Sequence, residues 1–112
     1  MYDLKNLLNL NGEIFPMDNG YWVKFEAIRV EVSIKIPHGV KYSLTLHDKN
    51  NQRVIGYDNA HSFKPKKKYG AKKETYDHIH KQMDIVAYEF ESASQLIEDF
   101  WKSAEYYMEN NK

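Results

Sequence analysis

Three of the five histidines, His61, His78 and His80, lie in one stretch running from Ile55 to His80. Asp58 stands three residues ahead of His61, and Asp77 one residue ahead of His78. Between the two histidine clusters, the segment Ser62 to Thr75 carries Lys64, Lys66, Lys67, Lys68, Lys72 and Lys73. Imidazole is the side chain whose resting pKa lies closest to neutrality, and lysine is a compact cation suited to phosphate. Carboxylates, imidazoles and ammoniums gathered in so short a stretch point to acid–base chemistry on an anionic substrate. The remaining sequence reads as the scaffold that positions them.

Composition limits what that scaffold can be. A chain of 112 residues has room for one modest core, so residues 1–112 are read as a single domain. Its apolar share of 42% and aromatic share of 14% are those of a globular chain rather than a disordered one. Sixteen basic residues balance sixteen acidic ones, so attraction to nucleic acid or any other polyanion must come from local segregation of charge. The absence of cysteine excludes a disulfide framework and a thiolate zinc site. The N-terminal residues lack a basic region followed by an apolar one, and no apolar run approaches the roughly 18 residues needed to cross a bilayer. A soluble cytoplasmic protein with no membrane partner is expected. No internal repeat is evident.

Taken in order, Asp3 is placed to cap a short helix with Leu4, Leu7 and Leu8 on one face, ending near Asn11-Gly12. Asp18-Asn-Gly20 is a turn signal. Tyr21, Val23 and Phe25 alternate with polar residues, as in a half-buried strand. Ile28, Val30, Val32, Ile34 and Ile36 then take the opposite phase, which predicts a β-bulge or bend near Ala27. Val40 to His47 and Arg53 to Tyr57 give two further strands around a hairpin loop at Asp48–Asn51, and Ile85 to Phe90 a last short one. Ser92 to Gln95 has the form of a capping box, followed by Ala93, Leu96, Ile97, Phe100, Trp101, Ala104 and Met108 at helical spacing. The expected fold is α+β: an antiparallel meander of about four strands packed by a long C-terminal helix, with a short N-terminal helix.

Gly56-Tyr-Asp-Asn-Ala-His61, Tyr76-Asp-His-Ile-His80, Tyr88-Glu-Phe90 and Leu96-Ile-Glu-Asp-Phe-Trp101, in that order, resemble the TumE family, toxins of bacterial and archaeal toxin–antitoxin modules. Gly20 to Phe25 and Tyr42 to His47 fit the same layout, so the resemblance covers roughly residues 15–110. It implies a toxin neutralised by a helix-turn-helix antitoxin protein, acting on RNA or translation, with Asp58, His61, His78 and His80 as the polar centre. The long Lys-rich segment between the histidine motifs departs from the family pattern.

The residues themselves fit an RNA substrate. If Tyr76 to His80 is extended, His78 and His80 point to one side, about 7 Å apart along the chain. Cleavage by transesterification needs a base for the 2′-hydroxyl, an acid for the leaving oxygen and a cation on the phosphate. Two histidines and a lysine meet that need with no cofactor. Asp58 could orient an imidazole, Lys66, Lys67, Lys68, Lys72 and Lys73 could hold phosphates, and Tyr69 and Tyr76 could stack on unpaired bases.

Two other classes compete. His78 and His80 with Asp58 or His61 could ligate zinc, iron or manganese, although six nearby lysines oppose a cation. A non-catalytic interaction module is the third class, since nine tyrosines and two tryptophans suit a contact surface as well as a core. His-x-His in a polar loop and a lysine run are also what a plain solvated surface presents. His38, beside Pro37 and Gly39, reads as a turn residue, and His47 as a wet-face residue of its strand; neither is assigned a role. A homodimer is left open.

Overall fold

The alternation of apolar and polar residues builds one antiparallel sheet. In the computed structural model, residues 2–59, 77–81 and 84–111 are described. Helix α1 (Tyr2–Asn9) leads into strand β1 (Ile14–Pro16) and a short 3₁₀ turn at Asp18–Gly20. Strands β2 (Trp22–Arg29), β3 (Val40–His47), β4 (Arg53–Asp58), β5 (His78–Lys81) and β6 (Asp84–Ala87) follow, and helix α2 (Ala93–Asn110) closes the chain. The six strands lie in sequence order, each antiparallel to the next, so the meander is as expected but has six strands rather than about four. The two additions are β1, too short to show alternation, and β5, which the histidine motif itself forms.

Val23, Phe25, Leu44, Leu46, Tyr57 and Ile79 turn to the side covered by the helices and are buried there. From α2, Ala93, Leu96, Phe100 and Ala104 meet them, each at most 1% exposed. Phe100 stands edge-on to both Phe25 and Tyr57, an arrangement aromatic quadrupoles favour. Leu7 of α1 fills the same core, with Leu4 and Leu8 packed against it. Ser92 Oγ accepts the Gln95 N–H at 3.0 Å, so the helix starts where its cap predicts. The Gln95 side chain donates instead to Asp99 at 2.8 Å, leaving the reciprocal half of the box unmade.

Three expectations change. Helix α1 already includes Asp3, which therefore lies in its first turn and not ahead of it. No bulge occurs at Ala27: β2 runs in unbroken register with β3 from Trp22↔His47 to Arg29↔Val40. The pair closes with the Val30 N–H donating to the Gly39 carbonyl at 2.9 Å, beyond which the turn at Pro37 and His38 removes the partner, and the alternating run continues outside the sheet with Val32 and Ile34 exposed. The last strand stops at Ala87, short of Phe90. Among the described residues, no helix is long and apolar enough to cross a membrane.

Candidate functional site

Strand parity decides where the polar residues go. Tyr57 and Ile79 are paired and face α2, and the Tyr57 hydroxyl reaches the Asp99 carbonyl and Ser103 Oγ. Their neighbours Asp58 and Gly56 on β4, and His78 and His80 on β5, must then face the other way, in the pairs Asp58↔His78 and Gly56↔His80. On that face, opposite α1 and α2, the Asp58 carboxylate bridges two imidazoles. Its Oδ1 lies 2.9 Å from His78 Nε2 and its Oδ2 3.2 Å from His80 Nε2. The two rings stand edge to face, centroids 4.7 Å apart.

Asp58 and His78 are buried and His80 is half-buried. An ionised carboxylate only accepts hydrogen bonds, so both Nε2 atoms donate to it, and whichever ring is neutral carries its lone pair at Nδ1. Burial, followed by the positive charge of Arg53, holds the His80 pKa below its ordinary value, against the pull of Asp58. His80 is thereby kept neutral near pH 7, the form a general base requires.

A second polar group sits on the helix side at the same end of the sheet. Asp77, one residue from His78 and so of opposite parity, accepts from the Tyr42 hydroxyl at 2.7 Å and from His38 Nε2 at 3.2 Å. His38 Nδ1 accepts the Val40 N–H at 3.4 Å, which assigns the ring's proton to Nε2, and Phe90 lies against the ring at 4.0 Å. Burial, with Asp77 beside it, pushes the Tyr42 phenol well above its ordinary range. His38 is therefore more than a turn residue: with Asp77 it fixes the entry to β5. Asn59, next to Asp58, is buried and fully paired. Its amide accepts from Tyr42 N at 3.0 Å and donates to the Val40 carbonyl at 2.9 Å, extending the β3–β4 ladder by one side chain. The sequence signal for Asn59 was its place beside Asp58; His38, 39 residues from Asp77, had none.

His47 lies on the face opposite α1 and α2, as its alternation predicted, stacked on Trp22 with centroids 4.0 Å apart and planes 10° from parallel. Its Nε2 meets Thr45 Oγ1 at 2.9 Å, while Nδ1 is buried with no well-formed hydrogen bond among the described residues. Burial lowers its pKa.

A family model described as "Toxin TumE" matches residues 5–108. The chain belongs to the TumE toxin family. The match takes in the larger part of α1, all of which the motif resemblance over residues 15–110 left outside. No curated protein and no solved structure matches the chain. Family membership supports a toxin role for this TumE chain.

Of the residues proposed from sequence for the TumE polar centre, Asp58, His78 and His80 come together in one cluster. His61, the lysines Lys66, Lys67, Lys68, Lys72 and Lys73, and the tyrosines Tyr69 and Tyr76 lie outside the described residues. The cluster also satisfies a minimal condition for a metal centre: one donor atom each from Asp58, His78 and His80 lie within 4.8 Å of one another. A 2-His-1-carboxylate set suits iron, zinc or manganese.

Proposed function

We propose that this TumE-family chain is the toxin of a type II toxin–antitoxin module and cuts RNA by metal-independent transesterification. The observation that carries the reading is the Asp58 carboxylate holding two imidazoles by Nε2 at 2.9 and 3.2 Å. In the proposed step His80 Nδ1 takes the proton of a ribose 2′-hydroxyl. The 2′-oxygen attacks phosphorus, the P–O5′ bond breaks, and a protonated imidazole, His78 or His61, gives a proton to the departing 5′-oxygen. Products are a 2′,3′-cyclic phosphate and a 5′-hydroxyl. Asp58 fixes both tautomers and stabilises whichever imidazole carries charge, as the carboxylate of a catalytic triad does. Lys68 and Lys72 are assigned to the scissile phosphate, with Lys66, Lys67, Lys73, Tyr69 and Tyr76 along the bound strand.

The test is a purified-protein assay on single-stranded RNA. His80→Ala is expected to lose about 10²–10⁴-fold in turnover with the fold retained, and a cyclic-phosphate end is expected on the products. Wild-type rates from His80→Ala would remove the reading. Comparing His78→Ala with His61→Ala identifies the acid.

The converging donor atoms favour one second reading, a metal-dependent hydrolase with Asp58, His78 and His80 as ligands. Chelator separates the two: the first reading expects unchanged rates, the second expects loss of activity and recovery with zinc or manganese. For the partner, we propose a helix-turn-helix antitoxin that covers the Lys-rich segment with an acidic surface.

A further inference from the structure

Strand β4 holds one residue more than its partner needs. Leu46 pairs with Ile55 and His47 with Arg53, so the register shifts and Val54 is left over as a bulge. In a regular strand Arg53 would share the helix-facing side with Ile55 and Tyr57. The bulge lets Val54 and Ile55 both turn inward, 6% and 4% exposed, and moves Arg53 to the face opposite α1 and α2, beside His47. From there the side chain lies along the strand. A Cβ on Gly56 would stand 3.2 Å from Arg53 Cδ, 3.5 Å from Nε and 3.6 Å from Nη1, so the guanidinium crosses the one residue of β4 that has no side chain. Gly56 is the direct partner of His80 across to β5. The bulge, the glycine and the register together deliver a guanidinium beside the His80 imidazole. Arg53 is an exposed residue, and no carboxylate among the described residues forms an ion pair with it.

We propose that Arg53 is a phosphate-binding residue of this site, its guanidinium forking onto the non-bridging oxygens of the phosphodiester that His80 prepares for attack. The proposal rests on the RNA reading and adds to it a cation held by the sheet itself. A planar fork of N–H donors matches two phosphate oxygens at once, which a lysine ammonium does not. Charge accumulating on those oxygens during attack meets a donor set already in place. The positive effect of Arg53 on His80 agrees with this placement.

Three variants of the full chain test it: Arg53→Gln, Arg53→Lys and Gly56→Ala. Binding is measured by anisotropy with a labelled 2′-O-methyl RNA oligonucleotide, which lacks the nucleophile; turnover is measured on the matching RNA, and His80 is titrated by NMR. Arg53→Gln is expected to weaken binding and to lower its salt slope by about 0.7 for one lost single-strand contact. Its kcat is expected to fall roughly 10²–10³-fold, with His80 titrating at higher pH. Arg53→Lys should fall between. Gly56→Ala removes no charge and suits a strand, yet its methyl group displaces the guanidinium, so it should follow Arg53→Gln in direction. If Arg53→Gln and Gly56→Ala bind, cut and titrate like wild type, Arg53 merely covers the strand and the proposal falls, while loss of activity in His80→Ala leaves the acid–base reading standing. If wild-type protein neither binds nor cuts RNA, both fall.

Discussion

Replacing Asp58 by asparagine keeps its shape but turns one of two acceptors into an N–H₂ donor. That donor would face an imidazole Nε2–H, and the ring must switch tautomer or lose the contact. Asp58→Asn is expected to cut turnover by about 10²–10⁴-fold, with little change in the thermal midpoint at pH 7. Single-turnover kinetics beside a melt checks both halves. The pH dependence follows from His80 and His47, both held below the ordinary histidine value of 6.5. As pH falls below 6.5 the unfolded chain takes up protons at these positions before the folded chain does, so stability is full above 6.5 and declines beneath it. Melts from pH 8 to 5 should show this, and His47→Phe should flatten the decline while keeping the Trp22 stack. The acid limb of kcat/KM should correspondingly lie below 6.5. The pairing of His78 with His80 could be read from sequence because a strand repeats every two residues. Arg53 could not, because the bulge that re-aims it leaves no mark in the hydrophobic pattern. Asp77 and His38 were hidden because their contact joins positions 39 residues apart.

Helix α2 was the most legible element, since cap and stripe agree, yet the stripe alone misplaces its anchor. Phe100 is fully buried, whereas Trp101 is half-buried, meeting Phe15 and Phe100 edge-on and Phe25 at a tilt. Phe100→Ala is expected to cost about 3–5 kcal/mol, and Trp101→Ala roughly half as much because part of its ring is already wet. Urea titration of the pair decides the order; equal losses would contradict it. The β2 boundary was the least legible. Ile28 to Ile36 alternates like a strand, but a strand needs a partner, and only the register with β3 reveals that the partner ends at Val40. Six strands also exceed the expected count because β1 is only three residues long and β5 only four, the latter carrying two imidazoles, a composition that does not announce a strand.

The sheet separates two tasks. One face is committed to α1 and α2 and their apolar contacts, and the other presents Asp58, His78, His80, Arg53, His47 and Trp22. With no net charge on the whole chain, any anionic partner must be drawn by this division and by the Lys-rich segment rather than by an overall field. The proposed antitoxin is testable in the same terms. Co-expression with the proposed helix-turn-helix antitoxin should give a complex on size exclusion and restore growth. Failure to co-elute and to rescue would remove that partner.

The two tryptophans fall on opposite faces of the sheet, Trp22 flat against His47 and Trp101 among the aromatic rings beneath α2. A protonated imidazole in face contact with an indole accepts an electron from its excited state, so Trp22 should dim as His47 takes up a proton, while Trp101 stays bright until the core opens. The chain thus carries two native fluorophores with separate duties. With Trp101→Phe, the remaining emission reports the proton state and occupancy of the polar face; with Trp22→Phe, it reports unfolding alone.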